Sequence, residues 1–130
     1  MEPELKPTVF LLAAGAFAIV ASAAAAPRLK PIMRDWKTQA NQAQLMLSGA
    51  VPYNEARLRQ ILTGMVSDAR DVEAGITGSS ARALDVKGLF SQFEADAAAT
   101  LQSVPARDGA RARFQQVAGD CRSCHDALRN

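Results

Sequence analysis

From Pro31 to the end of the chain, apolar residues return every three or four positions, the period of an α-helix rather than the two-residue alternation of a strand. The first stripe, Ile32, Trp36, Ala40, Ala43 and Leu47, predicts a helix over about 31–48, closed by Gly49. The stretch GAVPYN reads as a turn by its Gly, Pro and Asn, and Asn54 is placed to cap the next helix. Leu58, Ile61, Leu62, Met65, Ala69 and Val72 mark a second helix over about 55–73, broken by GITGSS. Val86, Phe90, Phe93, Ala97, Leu101 and Val104 mark a third over about 82–103. After VPARDG, the residues Phe114, Val117, Cys121, Cys124 and Leu128 mark a fourth over about 109–128. No segment alternates with period two, so no strand is predicted.

Long helices joined by short loops favour antiparallel neighbours. The expected fold is therefore all-α, an antiparallel up-down-up-down four-helix bundle. Composition agrees: alanine dominates the apolar share, aromatic residues are only 5%, and alanine is the strongest helix former. The stripes show no internal repeat, and 130 residues suit one domain.

The first 27 residues stand apart. Residues 8–26, TVFLLAAGAFAIVASAAAA, are uncharged and end at Pro27. Ala21-Ser22-Ala23 gives the A-x-A pattern of a signal-peptide cleavage site, whereas the run's 19 residues almost reach the roughly 20 needed to span a bilayer. Both readings stand: residues 1–27 are a signal peptide or a membrane anchor forming an N-terminal hydrophobic helix, and residues 28–130 are the four-helix domain. The basic flank Arg28, Lys30, Arg34 and Lys37 would, by the positive-inside rule, hold the domain in the cytoplasm. The chemistry of the other end of the chain argues for export.

That chemistry is concentrated in GDCRSCHDALR, which holds both cysteines and the single histidine of the chain. C-x-x-C-H is the attachment signature of c-type haem. On a helix, Cys121 and Cys124 share a face, so their sulfurs can bond the two vinyl groups of one porphyrin. His125 follows at once and can turn its imidazole to the iron from the same side. A zinc site would require a fourth ligand, and no second cluster supplies one. A thioredoxin-like thiol pair would require a βαβ context, which the pattern lacks.

These residues resemble the cytochrome c′ family, four-helix c-type cytochromes whose attachment motif lies on the last helix. The resemblance covers residues 31–129 and rests on CRSCHDALR, with Arg129 four residues beyond the histidine, on the turn GAVPYNEA between the first two helices, and on the C-terminal place of the motif. It implies haem c attached at Cys121 and Cys124, with His125 as proximal iron ligand. The family divides by what faces the iron from the first helix: an apolar residue in five-coordinate members that bind nitric oxide or carbon monoxide, a methionine in low-spin members. Counting back from the turn glycine, Gly49, the distal position falls on Met33, so the resemblance implies His/Met ligation through His125 and Met33. Such ligation raises the reduction potential and suits electron transfer. Met46 and Met65 are expected in the core. Arg129 is a candidate partner for a haem propionate. The chain departs from the family in lacking a tryptophan before the third helix and in carrying Leu128 where an aromatic is usual. Phe90, Phe93 and Phe114 are expected in the core, with the haem wall as the other reading.

The resemblance implies a periplasmic electron carrier, anchored or soluble after cleavage, because covalent haem attachment takes place outside the bacterial inner membrane. The implied partners are a redox protein or a membrane-bound electron-transfer complex, and a homodimer is a further expectation. Without Lys6, Glu2 and Glu4 of the first segment, the formal net charge rises from +2 to +3. Arg107, Arg111, Arg113 and Arg122 crowd the fourth helix, a charge able to steer an acidic redox partner. No aromatic-interleaved basic patch points to nucleic acid. No nucleophile–base pair, paired carboxylates in an apolar setting or phosphate loop points to an enzyme.

Overall fold

The computed structural model describes residues 29–129, so the expected hydrophobic helix over residues 8–26 lies outside the described residues. The described chain is four α-helices: α1 (Leu29–Ser48), α2 (Glu55–Gly75), α3 (Ala81–Ser103) and α4 (Arg107–Arg129). Among the described residues there is no strand. The helix backbones approach one another in a ring, α1 by α2, α2 by α3, α3 by α4 and α4 by α1, and neither diagonal pair comes as close. The α2–α3 and α3–α4 seams are the most extensive, and α1 lies more loosely against its two neighbours.

Side-chain bonds between helices report their direction. Trp36, early in α1, meets Asp68, late in α2, while Gln42, later in α1, meets Arg57 at the start of α2. Leu47, at the end of α1, meets Arg107 at the start of α4. Alpha1 therefore runs antiparallel to both neighbours.

Each boundary has a local cause. At the end of α1 the carbonyls that lack helical partners are met one by one: Leu45 by the Val51 N–H (3.3 Å) and Met46 by the Gly49 N–H (3.3 Å). The Leu47 carbonyl accepts from Arg107 Nε at 3.3 Å. Gly49 makes this stop possible with φ +85°, a left-handed conformation that disfavours any side chain. A Cβ there would also meet the Arg107 guanidinium, the group that ties α1 to α4. Gly49→Ala is expected to cost about 1–2 kcal/mol, read as a lower denaturation midpoint at unchanged m.

The cap expected at Asn54 is present, its Oδ1 accepting from the Arg57 N–H at 2.9 Å. Ser80 does the same for α3 through the Ala83 N–H at 3.1 Å. Alpha4 begins two residues earlier than its apolar stripe suggests. Pro105 ends the preceding turn, the Ala110 N–H reaches the Ala106 carbonyl at 2.9 Å, and Gly109 is carried inside the helix rather than breaking it. The Tyr53 hydroxyl donates to the Val104 carbonyl, pinning the first connection to the last.

The core is the sum of the four stripes. Trp36, Ala43, Met46 and Leu47 meet Leu58, Ile61, Leu62 and Met65, and on the other side Phe90, Phe93, Ala97, Phe114 and Val117. Met46 and Met65 are buried, as their place in the pattern implies. Thr100, among the described residues the one fully buried polar side chain, donates to the Asp96 carbonyl one turn back at 2.8 Å.

Candidate haem-binding cavity

Near the open end of α1 and the last turns of α4 the core gives way to a cavity of about 460 Å³. Cofactor and ligand sites commonly occupy about 300–1,000 Å³. Because α1 and α4 are antiparallel, the start of one faces the end of the other. Met33, Trp36 and Ala40 line the cavity from α1, Phe90 and Phe93 from α3, and Cys121, Cys124 and His125 from α4. Four of the five residues expected at the site are thus brought to one cavity although Met33 and Cys121 lie far apart in the chain. The fifth, Arg129, closes α4, and its side chain lies outside the described residues.

The α4 wall is graded in exposure. Cys124 is buried, Cys121 half-buried and His125 exposed. Both cysteines are free thiols. Burial pushes both thiols up from their ordinary pKa, and the Asp120 carboxylate adds to the effect, so both are neutral near pH 7. Opposite them Met33 is half-buried. It lies within the second turn of α1, after Pro31, a residue that the first turn of a helix tolerates because its N–H would be unpaired there anyway.

The cavity floor is aromatic. The Trp36 ring stacks on Phe93 at 4.3 Å between centroids and 18° between planes, and meets Phe90 at 6.2 Å and 54°. Its Nε1–H donates to Asp68 Oδ2 at 3.2 Å, which satisfies the one polar atom of the indole and fixes the ring's rotation. Phe90 and Phe93 therefore belong both to the core and to the cavity wall. Phe114 is buried among core residues and is absent from the cavity lining.

Three further cavity residues were not legible as such from the sequence. Arg34 and Lys37 stand out there only as part of a basic flank, yet both line the cavity. Asp120, the residue before Cys121, lines it too. Its carboxyl meets that of Asp96 on α3, and burial together with this neighbour pushes its pKa up to about 7. The shared hydrogen bond holds Asp96 below the ordinary carboxylate range, helped by Gln92 Nε2 at 3.0 Å and by Arg113. A second acid pair lies between α2 and α3, where burial and then Glu94 raise the pKa of Glu73. Glu94 is in turn bound by Arg70 Nε at 2.9 Å. The expectation of no paired carboxylates in an apolar setting is thereby corrected. The partners of each pair come from different helices, and spacing along the chain does not reveal such a meeting.

The residues fit a covalently held haem. The walls are almost wholly apolar, two thiols one helical turn apart share one wall, an imidazole follows them, and a thioether stands across the space. Among the described residues no three His, Cys, Asp or Glu side chains converge as a metal-ion cluster, so Cys121, Cys124 and His125 are not arranged as a compact zinc site. No family model, curated protein or solved structure matches this chain. Among the described residues no helix is long and apolar enough to cross a membrane.

Proposed function

We propose that the protein is a c-type cytochrome of the electron-carrying kind, with haem c bonded to Cys121 and Cys124 and its iron held by His125 and Met33. The observation that carries this reading is the convergence of those four side chains on one apolar cavity. When bound, haem supplies a one-electron couple. The chain's own residues do the rest. Cys121 and Cys124 hold the group to α4, which the extensive α3–α4 seam keeps rigid. Trp36, Phe90 and Phe93 exclude water from its faces. Arg34 and Lys37 offer cations to its two carboxylates, with Arg129 as a further candidate from the end of α4. Met33 supplies a soft, neutral donor, which favours the reduced state and raises the potential.

Haem attachment of this type implies the periplasmic side of a bacterial inner membrane. Residues 8–26 would serve either as the export signal or as an anchor beside a membrane-bound redox complex. The exposed basic residues Arg111 and Arg122 on α4, with Arg107 at its start, suit an acidic redox protein as partner. The five-coordinate, gas-binding alternative differs at one residue, Met33.

An optical spectrum separates the two. The oxidised protein is expected to be low-spin with a methionine–iron charge-transfer band in the far red. Met33→Ala should abolish that band, turn the ferric protein high-spin and let carbon monoxide bind the reduced form rapidly. A parent protein that is already high-spin and binds carbon monoxide rapidly rejects the electron-carrier reading in favour of the gas-binding one. A parent with no covalent pigment rejects both.

A further inference from the structure

Asp120 is the polar residue that the electron-carrier reading leaves without a task. It lines the apolar cavity, its Oδ2 is buried and meets no hydrogen-bond donor, and its carboxyl meets another, that of Asp96. A buried carboxylate oxygen with no donor is costly, and a like charge beside it raises the cost. One proton shared by the pair removes both penalties. Asp96 is the better-supported anion of the two, with Gln92 donating to it and Arg113 nearby. The proton therefore belongs on Asp120, on the helix that also carries Cys121, Cys124 and His125.

We propose that Asp120, backed by Asp96, is a proton site coupled to the oxidation state of the haem in the adjoining cavity. The inference rests on the reading above. An electron entering the cavity adds a negative charge within the same weakly screened space, so the proton on Asp120 is held more tightly in the reduced protein. The step balances: a one-electron donor protein gives one electron to the ferric iron, which becomes ferrous, and solvent gives one proton to the Asp120 carboxylate. Oxidation by a one-electron acceptor returns both. No bond other than the carboxyl O–H forms or breaks.

The charged and titratable groups around Asp120 come from three helices. Alpha3 presents Asp96. Alpha1 presents Arg34 and Lys37 across the cavity. Alpha4 itself carries Cys121, Cys124 and His125 on the cavity wall, Arg122 beside Cys121, and Arg113 beside Asp96. Alpha2 lies across the diagonal, and its backbone does not approach α4 closely. Asp96 is the one acid in this set besides Asp120, and it is the neighbour that, after burial, favours the protonated form of Asp120.

The test is a spectroelectrochemical titration of the mature, pigmented full chain between pH 5 and 9, with the Asp120→Asn and Asp96→Asn variants beside it. One proton fully coupled to one electron changes the equilibrium constant tenfold per pH unit, which is 59 mV. The parent's midpoint potential is expected to fall with pH across a window around neutrality, with a slope approaching that limit. Asp120→Asn should flatten this window, and Asp96→Asn should move it to lower pH. The Asp120 carboxyl carbon, followed by NMR in each oxidation state, should titrate at higher pH in the reduced protein.

A parent and an Asp120→Asn variant with the same slope overturn the proposal while leaving the cytochrome reading intact. A chain without covalent pigment overturns both. Thermal unfolding checks the pair independently of haem. A folded-state pKa above the unfolded value means that the native state binds the extra proton. Its stabilisation is therefore complete below about pH 4 and is lost as pH rises through about 7. Asp120→Asn should accordingly raise Tm at pH 8 more than at pH 5. An equal shift at both values overturns the buried-proton assignment.

Discussion

A chain carrying Cys121→Ala and Cys124→Ala together is expected to emerge from an exporting, haem-attaching host without pigment that survives acid acetone, whereas the parent chain stays red after the same treatment. The effect is all-or-none because a thioether is a covalent bond and no other cysteine is present to replace it. The single variants should differ from the double one. Each keeps one thiol on the same wall, so a singly bonded pigment with a shifted reduced spectrum is the expected product. Loss of the fold is not expected to confuse the outcome. Cys124 is buried, but alanine removes only its sulfur, and the main core beneath it, from Phe114 and Val117 to Leu62, is untouched. Circular dichroism showing the helices retained while the pigment is gone would place the defect in attachment. A double variant that still holds its colour through acid acetone would remove haem c from this protein.

The helices were legible because each repeats its message. Four separate apolar stripes, each several turns long, agree with one another, and between them stand residues whose backbone preferences are specific: Gly49 as a stop and Asn54 as a cap, whereas the cap at Ser80 was legible only as part of a break. The fourth helix shows where such signals mislead. Its first residues are charged and include a glycine, so periodicity begins late although the backbone has already turned at Pro105. Cys121, Cys124 and His125 were legible as a group because their relation is local. Met33 was not legible from the residues alone. Its expected role came from a resemblance, and the structure places it on the same cavity as Cys121.

What the pattern could not carry was every relation between helices that does not involve apolar burial. Trp36 binds Asp68 across 32 residues, Arg107 binds the Leu47 carbonyl across 60, and Asp120 meets Asp96. Each joins polar groups whose neighbours in sequence look like ordinary solvated helix faces. Arg34 and Lys37 illustrate the same limit: a charge next to a hydrophobic segment reads as a membrane flank until the fold turns it towards a cavity.

The division between core and cavity predicts two different responses to the same deletion. Phe114 and Phe90 are both fully buried, but only Phe90 also faces the cavity. Phe114→Ala is expected to cost about 3–5 kcal/mol, the usual range for removing a buried ring. For a domain whose whole stability is of the order of 5–15 kcal/mol, that is a Tm drop of the order of 20 °C. The pigment spectrum of the folded protein should not move. Phe90→Ala should fall at the lower end of the same range, since the space it leaves merges with a cavity already present rather than opening a new one. It should, however, disturb the site. Trp36 loses one of its two aromatic neighbours, so its near-ultraviolet circular dichroism should weaken, and the haem absorption should shift as water gains the cavity wall. Trp36 is the single tryptophan of the chain, which makes the first readout unambiguous. If Phe114→Ala altered the Trp36 signal as much as Phe90→Ala, the cavity would not be a compartment separate from the core, and the rigid apolar wall needed to hold the haem's faces would be missing.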